Sequence, residues 1–387
     1  MAGGTFGGIF GDSVFNELKI NDLLADMNPP LAFYVSRGGS LCIELICPPQ
    51  RDHQGDGRPL GSQKTREVVT TTHVRTEAKT ALIIPTYNAA SSWESLCAGI
   101  RRQDLQPDRI LIIDSSSQDG TEALARAAGF EVVCIAQKDF NHGGTRQFAL
   151  RYASDAEIVL YVTQDAILAT DSAVRELLAA FVDPLVALAY GRQLPRPEAR
   201  AMEVHARLFN YPAQSEVRTF ACRSLRGLKT IFCSNSFAAY RCSALLAVGG
   251  FPPDLILGED TVTAAKLLQA GYKVAYVADA AAYHSHNYTT MQEFRRYFDI
   301  GVLHIRESWL QETFGNAGGE GRRFVLSELR YLLRTAPWQV PSAMLHVAAK
   351  LLGYRAGRAE AHLPVRLKRR LSMHSGFWDE QSAPRTT

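Results

Sequence analysis

Carboxylate and imidazole side chains stand directly after several short apolar runs of this sequence. Asp165 comes soon after the run Ile158–Val162, and Glu259 and Asp260 precede an amphipathic segment. The pair His284 and His286 follows the last of the runs. A carboxylate can bridge a divalent cation to phosphate oxygens or act as a general base, and imidazole is a further metal or phosphate ligand. These residue types predict metal-assisted or acid–base chemistry.

Each of these residues also has an ordinary structural interpretation. Taken alone, Asp165 is more often a helix cap or a surface charge. Adjacent carboxylates such as Glu259 and Asp260 are common at a helix N-terminus because they offset the helix dipole. A histidine near the end of a sheet is commonly structural. Spacing alone therefore leaves both interpretations open.

Three further segments have the composition of a nucleotide pocket. The segments Pro85–Asn88 and Asp114–Thr121 are too polar for buried connections. A carboxylate such as Asp114 can accept hydrogen bonds from a pyrimidine imide or a ribose hydroxyl, although the same segment could be a turn and a helix cap. The segment Phe140–Arg146 places two glycines and a cation at a predicted helix start. That arrangement suits close approach of a diphosphate to backbone N–H groups.

Apolar runs alternate with amphipathic segments, and this alternation predicts the elements that position these residues. The segment Ser91–Glu94 resembles a capping box that opens the first helix. Alternating strands and helices are typical of a parallel α/β sheet, whose ligand crevice lies beyond the carboxyl ends of the strands. We expect the sheet to close near Tyr283. The predicted strands are Ala81–Ile84, Ile110–Ile113, Phe130–Ile135, Ile158–Val162, Val186–Tyr190, Asn235–Tyr240 and Lys273–Val277.

The chain divides into three regions of different character. Residues 1–79 form an N-terminal extension with Gly-rich and polar stretches, and its role is unknown. Residues 80–298 carry the alternating pattern and form the predicted catalytic domain. Residues 299–387 are predicted to be helical and basic.

The C-terminal region interleaves basic and apolar residues between Lys350 and His374. Basic side chains near an anionic bilayer contribute about 1 kcal/mol each, so this segment could hold the chain at the inner face of the plasma membrane. The alternative is a solvated helix packed on the catalytic domain. The same helices could also join copies of the chain into a homo-oligomer.

Composition argues against several classes of protein. A formal net charge of +3 is too small for wholesale nucleic-acid binding, which needs many clustered cations. The seven cysteines form no C-x-x-C pair, which favours reduced thiols over a disulfide framework or a zinc site. The N-terminus lacks a signal-peptide pattern, and no run of about 18 apolar residues predicts a membrane span. We expect a cytoplasmic protein without a nucleic-acid partner.

Taken together and in this order, the segments resemble glycosyltransferase family 2, and in detail its rhamnosyltransferase branch. Members of this family have the GT-A fold, a single α/β domain with a metal-assisted nucleotide-sugar site. The implied fold is a mostly parallel sheet flanked by helices, with a helical C-terminal extension. The resemblance covers about residues 81–298 and is carried by Asp114–Thr121, Phe140–Arg146, Gln164–Ala166, Gly258–Asp260 and Tyr283–Tyr288.

The resemblance implies a role for each of these segments. Asp260 would be the catalytic base beside Glu259, and Asp165 with His284 or His286 would hold Mg²⁺ or Mn²⁺. Arg146 would sit near the donor phosphates. The implied donor-binding residues are Pro85, Thr86, Asn88, Asp114, Ser116, Asn141, His142, Gly143, Arg146 and Gln164.

The implied reaction is inverting transfer of L-rhamnose from dTDP-L-rhamnose to a hydroxyl of a polysaccharide or lipid-linked oligosaccharide in surface-glycan synthesis. A UDP- or GDP-sugar donor is the alternative within the family. The usual Asp-x-Asp metal motif is reduced here to the single Asp165, and this departure favours a non-catalytic, sugar-nucleotide-binding scaffold as a further alternative. A nucleotidyltransferase is disfavoured because Pro85–Asn88 is not a Gly-rich phosphate loop.

Overall fold

A computed structural model describes residues 78–315 and 319–380 of the chain. The predicted N-terminal extension, except its last two residues, lies outside the described part. The described strands are β1 (Thr80–Thr86), β2 (Arg109–Asp114), β3 (Glu131–Cys134), β4 (Ile158–Val162), β5 (Ile167–Leu168), β6 (Val186–Leu194), β7 (Glu216–Arg218), β8 (Phe237–Arg241) and β9 (Lys273–Tyr283).

Helices connect these strands and continue beyond the last of them. The first eight are α1 (Trp93–Arg101), α2 (Thr121–Ala127), α3 (His142–Ala149), α4 (Ala173–Ala179), α5 (Ala201–Asn210), α6 (Arg223–Arg226), α7 (Cys242–Ala247) and α8 (Glu259–Gln269). The C-terminal helices are α9 (Thr290–Arg306), α10 (Trp309–Phe314), α11 (Glu320–Thr335), α12 (Val340–Arg358), α13 (Val365–Leu371) and α14 (Phe377–Glu380).

All nine described strands belong to one sheet. Their order is β3-β2-β1-β4-β8-β6-β9-β5, and β7 also pairs with β9. The pairings among β1 to β4 and between β6 and β9 are parallel, whereas β8 runs antiparallel to both β4 and β6. The predicted α/β class with flanking helices is confirmed. The sheet is more mixed than predicted because β5, β7 and β8 run against their neighbours.

Strand β1 shows why the sheet is covered on both faces. Ile83 belongs to one core cluster, and Leu82 and Ile84 belong to another, because successive side chains of a strand point to opposite faces. Residues of α3, α7 and α8 pack into the first cluster, and residues of α1 and α4 pack into the second. Burial on both faces explains why β1 and β4 have continuous apolar sequences.

The structure corrects two predicted boundaries. Strand β1 extends to Thr86, so Pro85 and Thr86 lie within the strand rather than after it. Ser92 is the N-cap residue of α1, but its side chain makes no capping hydrogen bond, so the predicted capping box is wrong. A capping box forms instead at the start of α9, between Thr289 and Gln292. Strand β9 ends at Tyr283, where we expected the sheet to close.

The C-terminal helices pack onto the catalytic domain and onto each other. Helix α9 runs across the predicted boundary at residue 298. Two cations of the predicted basic segment are committed to ion pairs, since Lys350 Nζ lies 3.4 Å from Glu293 Oε1 and Lys368 pairs with Glu360. Among the described residues, no helix has both the length and the apolar character needed to cross a membrane.

Candidate functional site

Three loops at the carboxyl ends of β2, β1 and β4 are joined by hydrogen bonds into one polar surface. We call this surface the polar shelf; it includes Thr86, Asn88, Asp114 and Gln164. Thr86 and Asp114 are register partners at their strand ends, and the Thr86 hydroxyl donates to Asp114 Oδ1 at 3.0 Å. Gln164 ties in the third loop, because its side chain accepts from the Tyr87 N–H at 2.7 Å and donates to the Tyr87 carbonyl at 3.0 Å. The structure therefore brings together predicted donor-binding residues from three separate segments.

The buried Asp114 carboxylate has one acceptor position that no hydrogen bond from the described residues fills. Besides the Thr86 hydroxyl, it accepts from the Ser117 hydroxyl at 2.6 Å and from the Ser117 N–H at 2.9 Å. An ionised carboxylate offers about four acceptor sites, so one remains. The internal bonds fix the orientation of Asp114, which is the arrangement that a recognition residue needs.

Asn88 and Ser116 adopt left-handed backbone conformations at the edge of this shelf. Their φ angles are 49° and 58°, a region that is unfavourable for residues other than glycine. Asn88 is held there because its Oδ1 accepts from the Gln118 N–H at 2.9 Å, and the Ser116 hydroxyl donates to the Ile135 carbonyl at 2.7 Å. Backbone strain of this kind clusters at ligand-binding loops. Pro85, by contrast, contributes to β1 and not to a loop.

Asp165, His284 and His286 form a cluster of three potential metal ligands. The Nε2 atoms of the two histidines lie 3.3 Å from Asp165 Oδ2 and 3.2 Å from each other. The cluster forms because Ile167 pairs with Tyr283, which brings the loop after β4 beside the end of β9. The sequence left the choice between the two histidines open, and the structure places both against the carboxylate.

Gln193 orients His284 from the neighbouring strand β6. Its Oε1 lies 3.0 Å from His284 Nδ1, and its Nε2 donates to the Ser234 hydroxyl at 2.9 Å. Because an amide oxygen can only accept, this network puts a proton on Nδ1 and turns His284 Nε2 towards the cluster. Partners of this kind orient metal ligands and tune their affinity.

The cluster fits a divalent cation. Burial lowers the pKa of His286 to about 4, so its ring is neutral at pH 7 and can offer a lone pair. The two Nε2 atoms lie 3.2 Å apart and both face the Asp165 carboxylate, so with their lone pairs free they can bind one cation together. Adjacent ligands of an octahedral ion with bonds of about 2.1 Å are separated by roughly 3 Å, which matches this spacing.

Arg146 and Glu259 form a buried ion pair next to Asp260. Arg146 Nη1 lies 2.9 Å from Glu259 Oε1, and Asn235 Nδ2 donates to the same oxygen at 3.0 Å. Burial disfavours the charged form of Glu259, yet the positive charge of Arg146 holds its pKa below the ordinary value. The sequence predicts Arg146 at the donor phosphates, whereas its burial and pairing favour a role in keeping Glu259 ionised.

Asp260 is the more accessible carboxylate of the pair at the start of α8. Its Oδ1 accepts from the Thr261 N–H at 2.7 Å, and its Oδ2 accepts from the Asn235 N–H at 3.2 Å. Burial and the neighbouring negative charge of Glu259 raise the pKa of Asp260 to about 6. A carboxyl group with a pKa near 6 can accept a proton from a substrate at neutral pH. Asp260 is therefore suited to the predicted role of general base.

Adjacent residues connect Asp260 to the metal-ligand cluster. Asn235 contacts Asp260 through its backbone N–H, and the preceding Ser234 accepts from the Gln193 amide that orients His284. The short segment before β8 thus touches both groups. We take the Asp165–His284–His286 cluster and the Asp260 carboxylate as two parts of one site.

The start of α3 differs from the predicted diphosphate cradle. The Asn141 side chain caps the helix by accepting from the Gly144 N–H at 2.8 Å. At Gly143, a Cβ atom would lie 2.0 Å from the Pro252 carbonyl oxygen, so this glycine permits tight packing. The ring of the partly exposed His142 packs on His374 at a centroid distance of 5.1 Å, and burial lowers the pKa of His142. These contacts give the segment a structural role.

Sequence reasoning missed two residues that support the site, namely Gln193 and His374. Gln193 is a polar residue near the end of a strand, and that position could have drawn attention to it. His374 lies far along the chain in the C-terminal segment, so only the tertiary fold shows that it packs on His142.

Comparison with known proteins gives a consistent set of relatives. The family described as Glycosyl transferase family 2 matches residues 81–249. The O-antigen chain rhamnosyltransferase RfbN of Salmonella typhimurium strain LT2 is 49% identical over 302 residues, which cover 78% of this chain and 96% of the relative. The O-antigen chain rhamnosyltransferase WbaN of Salmonella anatum is 46% identical over 299 residues, which cover 77% of this chain and 95% of the relative.

Solved structures with a similar arrangement are more distant. The mannosyltransferase PcManGT from Pyrobaculum calidifontis, solved in complex with GDP-Man and Mn²⁺, is 21% identical and superposes with a TM-score of 0.47. The alignment covers 78% of this chain and 85% of that protein.

Proposed function

The chain belongs to glycosyl transferase family 2, and from this membership we propose that it is an inverting rhamnosyltransferase of O-antigen synthesis. Its relatives at 49% and 46% identity are both named O-antigen chain rhamnosyltransferases. They align with it over 96% and 95% of their own length, so the likeness extends through the whole catalytic region. The enzyme therefore takes its sugar from a nucleotide-sugar donor and passes it to a glycan acceptor.

The observation that carries the reaction type is the placement of Asp260 beside a buried, ionised Glu259. Arg146 holds Glu259 ionised, and burial together with that negative charge raises the pKa of Asp260 to about 6. In the proposed reaction, the oxygen of the acceptor hydroxyl bonds to the anomeric carbon while Asp260 accepts the proton of that hydroxyl. The bond from that carbon to the diphosphate breaks at the same time, and its electron pair leaves with the nucleoside diphosphate.

A direct displacement at the anomeric carbon inverts its configuration. We propose dTDP-L-rhamnose as the donor, and a β-linked donor then gives an α-rhamnoside. The polar shelf with Thr86, Asn88 and Asp114 would hold the nucleoside, because its remaining acceptor positions suit a base N–H or a ribose hydroxyl. The acceptor hydroxyl would belong to a polysaccharide or a lipid-linked oligosaccharide.

Asp165, His284 and His286 would hold a divalent cation in the same site. Bound there, the cation supplies positive charge to the diphosphate oxygens of the donor. Magnesium prefers oxygen ligands, whereas two imidazoles with one carboxylate suit a softer ion, so we favour Mn²⁺ over Mg²⁺.

Replacement of Asp260 tests the proposed reaction. We expect Asp260→Asn to lower the turnover number at least about a hundredfold while donor affinity changes little, because the amide cannot accept the proton. Asp254→Asn is the matched control, since Asp254 is an exposed aspartate on the loop before α8. Equal turnover in wild type and Asp260→Asn would refute the assignment of the base.

A further inference from the structure

The outer face of α12 exposes a stripe of apolar side chains. Every exposed residue from 341 to 352 is apolar, and the exposed fractions reach 63% at Leu345 and 58% at Leu352. The members recur at helical spacing and lie on one side of the helix. We call this stripe the α12 face, which consists of Pro341, Met344, Leu345, Ala348, Leu351 and Leu352.

Glycine packing on the opposite side fixes the outward direction of this face. At Gly353, a Cβ atom would lie 2.2 Å from the Phe294 carbonyl oxygen, and at Gly357 it would lie 2.0 Å from the Phe298 carbonyl oxygen. Helix α12 therefore meets α9 backbone to backbone along its glycine side. Rotation of α12 to bury its leucines would drive side chains into α9, so the α12 face stays on the surface.

The surroundings of the α12 face are basic and aromatic. Trp338, in the turn before α12, is 74% exposed, and Leu333 in the last turn of α11 is 58% exposed. Residues 321–358 contain seven lysines and arginines and one acidic residue, Glu328, which is buried. The exposed cations of this segment are Arg322, Arg330, Arg334, Arg355 and Arg358, together with Arg323, which pairs with Glu320.

We infer that the α12 face lies against an anionic lipid bilayer. Apolar side chains enter the boundary between headgroups and acyl chains, a tryptophan sits at that boundary, and arginines meet the lipid phosphates. Contiguous exposed apolar surface of this kind marks an interaction site. The predicted basic segment from Lys350 to His374 overlaps this face only at its start, and apolar insertion rather than charge alone is the main attraction.

Charge disfavours a second copy of the chain as the occupant. Paired in parallel, two α12 helices would bring Arg355 against Arg355. Paired antiparallel, they would bring Arg355 towards the Arg330 and Arg334 end of the partner. Exposed carboxylates that could neutralise either arrangement do not occur between residues 321 and 358, within the part that the structure describes. A bilayer rich in phosphatidylglycerol supplies the missing negative charge.

Vesicle binding of the full chain tests this inference. We expect wild type to co-float with vesicles of phosphatidylglycerol and phosphatidylethanolamine, and to bind phosphatidylcholine vesicles more weakly. Leu345→Glu/Leu352→Glu should lower the vesicle affinity at least about tenfold. Leu246→Glu is the matched control, because Leu246 on α7 is also 58% exposed but has no place in the α12 face.

The inference rests on the proposed rhamnosyl transfer in one respect: membrane binding would serve to reach a lipid-linked acceptor. An activity assay with a short water-soluble acceptor therefore tests the transfer separately from membrane binding. The Leu345→Glu/Leu352→Glu variant should keep the wild-type rate in that assay and the wild-type melting temperature. Wild-type vesicle binding by this variant would overturn the inference, as would absence of binding by wild type. A dimer of wild type that the variant loses, without vesicle binding, would assign the face to a second copy instead.

Discussion

Arg146 Nη1 lies 2.9 Å from Glu259 Oε1, and both side chains are almost fully shielded from solvent. The pair keeps Glu259 ionised beside Asp260, and burial together with the negative charge of Glu259 raises the pKa of Asp260. The arrangement resembles a known way of tuning a general base, in which a neighbouring carboxylate and burial together disfavour ionisation. Arg146, Glu259 and Asp260 are therefore electrostatically coupled.

Loss of Arg146 should destabilise the protein. Removing one partner of a buried ion pair leaves an uncompensated charge and typically costs about 3–5 kcal/mol. We expect Arg146→Met to lower the free energy of unfolding by roughly that amount in urea titrations. The double variant Arg146→Met/Glu259→Leu should recover most of the loss, because neither charge remains. A double variant that is less stable than either single variant would contradict the buried-pair assignment.

The activity of the enzyme should depend on the ionisation of Asp260. Since the pKa of Asp260 is raised to about 6, kcat/KM should rise with pH through this value as the carboxylate forms, and then level off. The profile should be measured at constant ionic strength, in buffers whose ions do not interact with the donor. If the residual activity of Asp260→Asn fell at acidic pH in the same way as the activity of wild type, the titrating group would be a residue other than Asp260.

The same pKa predicts an unusual stability profile. The folded pKa of Asp260, about 6, exceeds the ordinary value of 3.8, so its contribution to stability is fully present below pH 3.8 and is lost as pH rises through 6. Asp260→Asn should therefore be more stable than wild type at pH 7.5, by up to about 3 kcal/mol. Near pH 4 the two proteins should unfold at similar temperatures. If Asp260→Asn were less stable than wild type at pH 7.5, ionisation of the Asp260 carboxylate would not destabilise the folded state.

Gln193 should control metal affinity without contacting the metal. We expect Gln193→Leu to raise the Mn²⁺ concentration needed for half-maximal activity by about 10–100-fold, because His284 loses the partner that fixes its tautomer. Saturating Mn²⁺ should restore most of the rate, which separates a positioning role from general damage to the site. Gln193→Glu, which keeps an acceptor for Nδ1, should be the milder change. A rate defect that excess Mn²⁺ cannot relieve would contradict this role.

The sequence located the strands that carry the site because their apolar runs are continuous. Asp165 was grouped with His284 or His286 through the family resemblance, because strands β4 and β9, which these residues follow, are not neighbours in the sheet. The sequence could not choose between the two histidines, because their meeting with Asp165 depends on the pairing of Ile167 with Tyr283. Register between distant strands leaves no local signal.

Other features were ambiguous or invisible in the sequence. Gly143 has the same local pattern whether it cradles a phosphate or permits contact with Pro252, and the structure selects the contact. Arg146 and Glu259 are far apart in the chain, so their ion pair could not be anticipated from spacing. Of the outward leucines of α12, Leu351 and Leu352 fall in the predicted basic segment and Leu345 precedes it; their exposure could not be predicted because it depends on the glycine contact with α9.

Product analysis after a single transfer tests the central claim most directly. The purified protein should be incubated with dTDP-β-L-rhamnose, Mn²⁺ and a short O-antigen acceptor, and the product examined by mass spectrometry and NMR. The account predicts a gain of one deoxyhexose in α linkage, which requires inversion at the anomeric carbon. A β-linked product would contradict the single displacement by way of Asp260, and transfer from a UDP- or GDP-sugar but not from dTDP-L-rhamnose would contradict the donor.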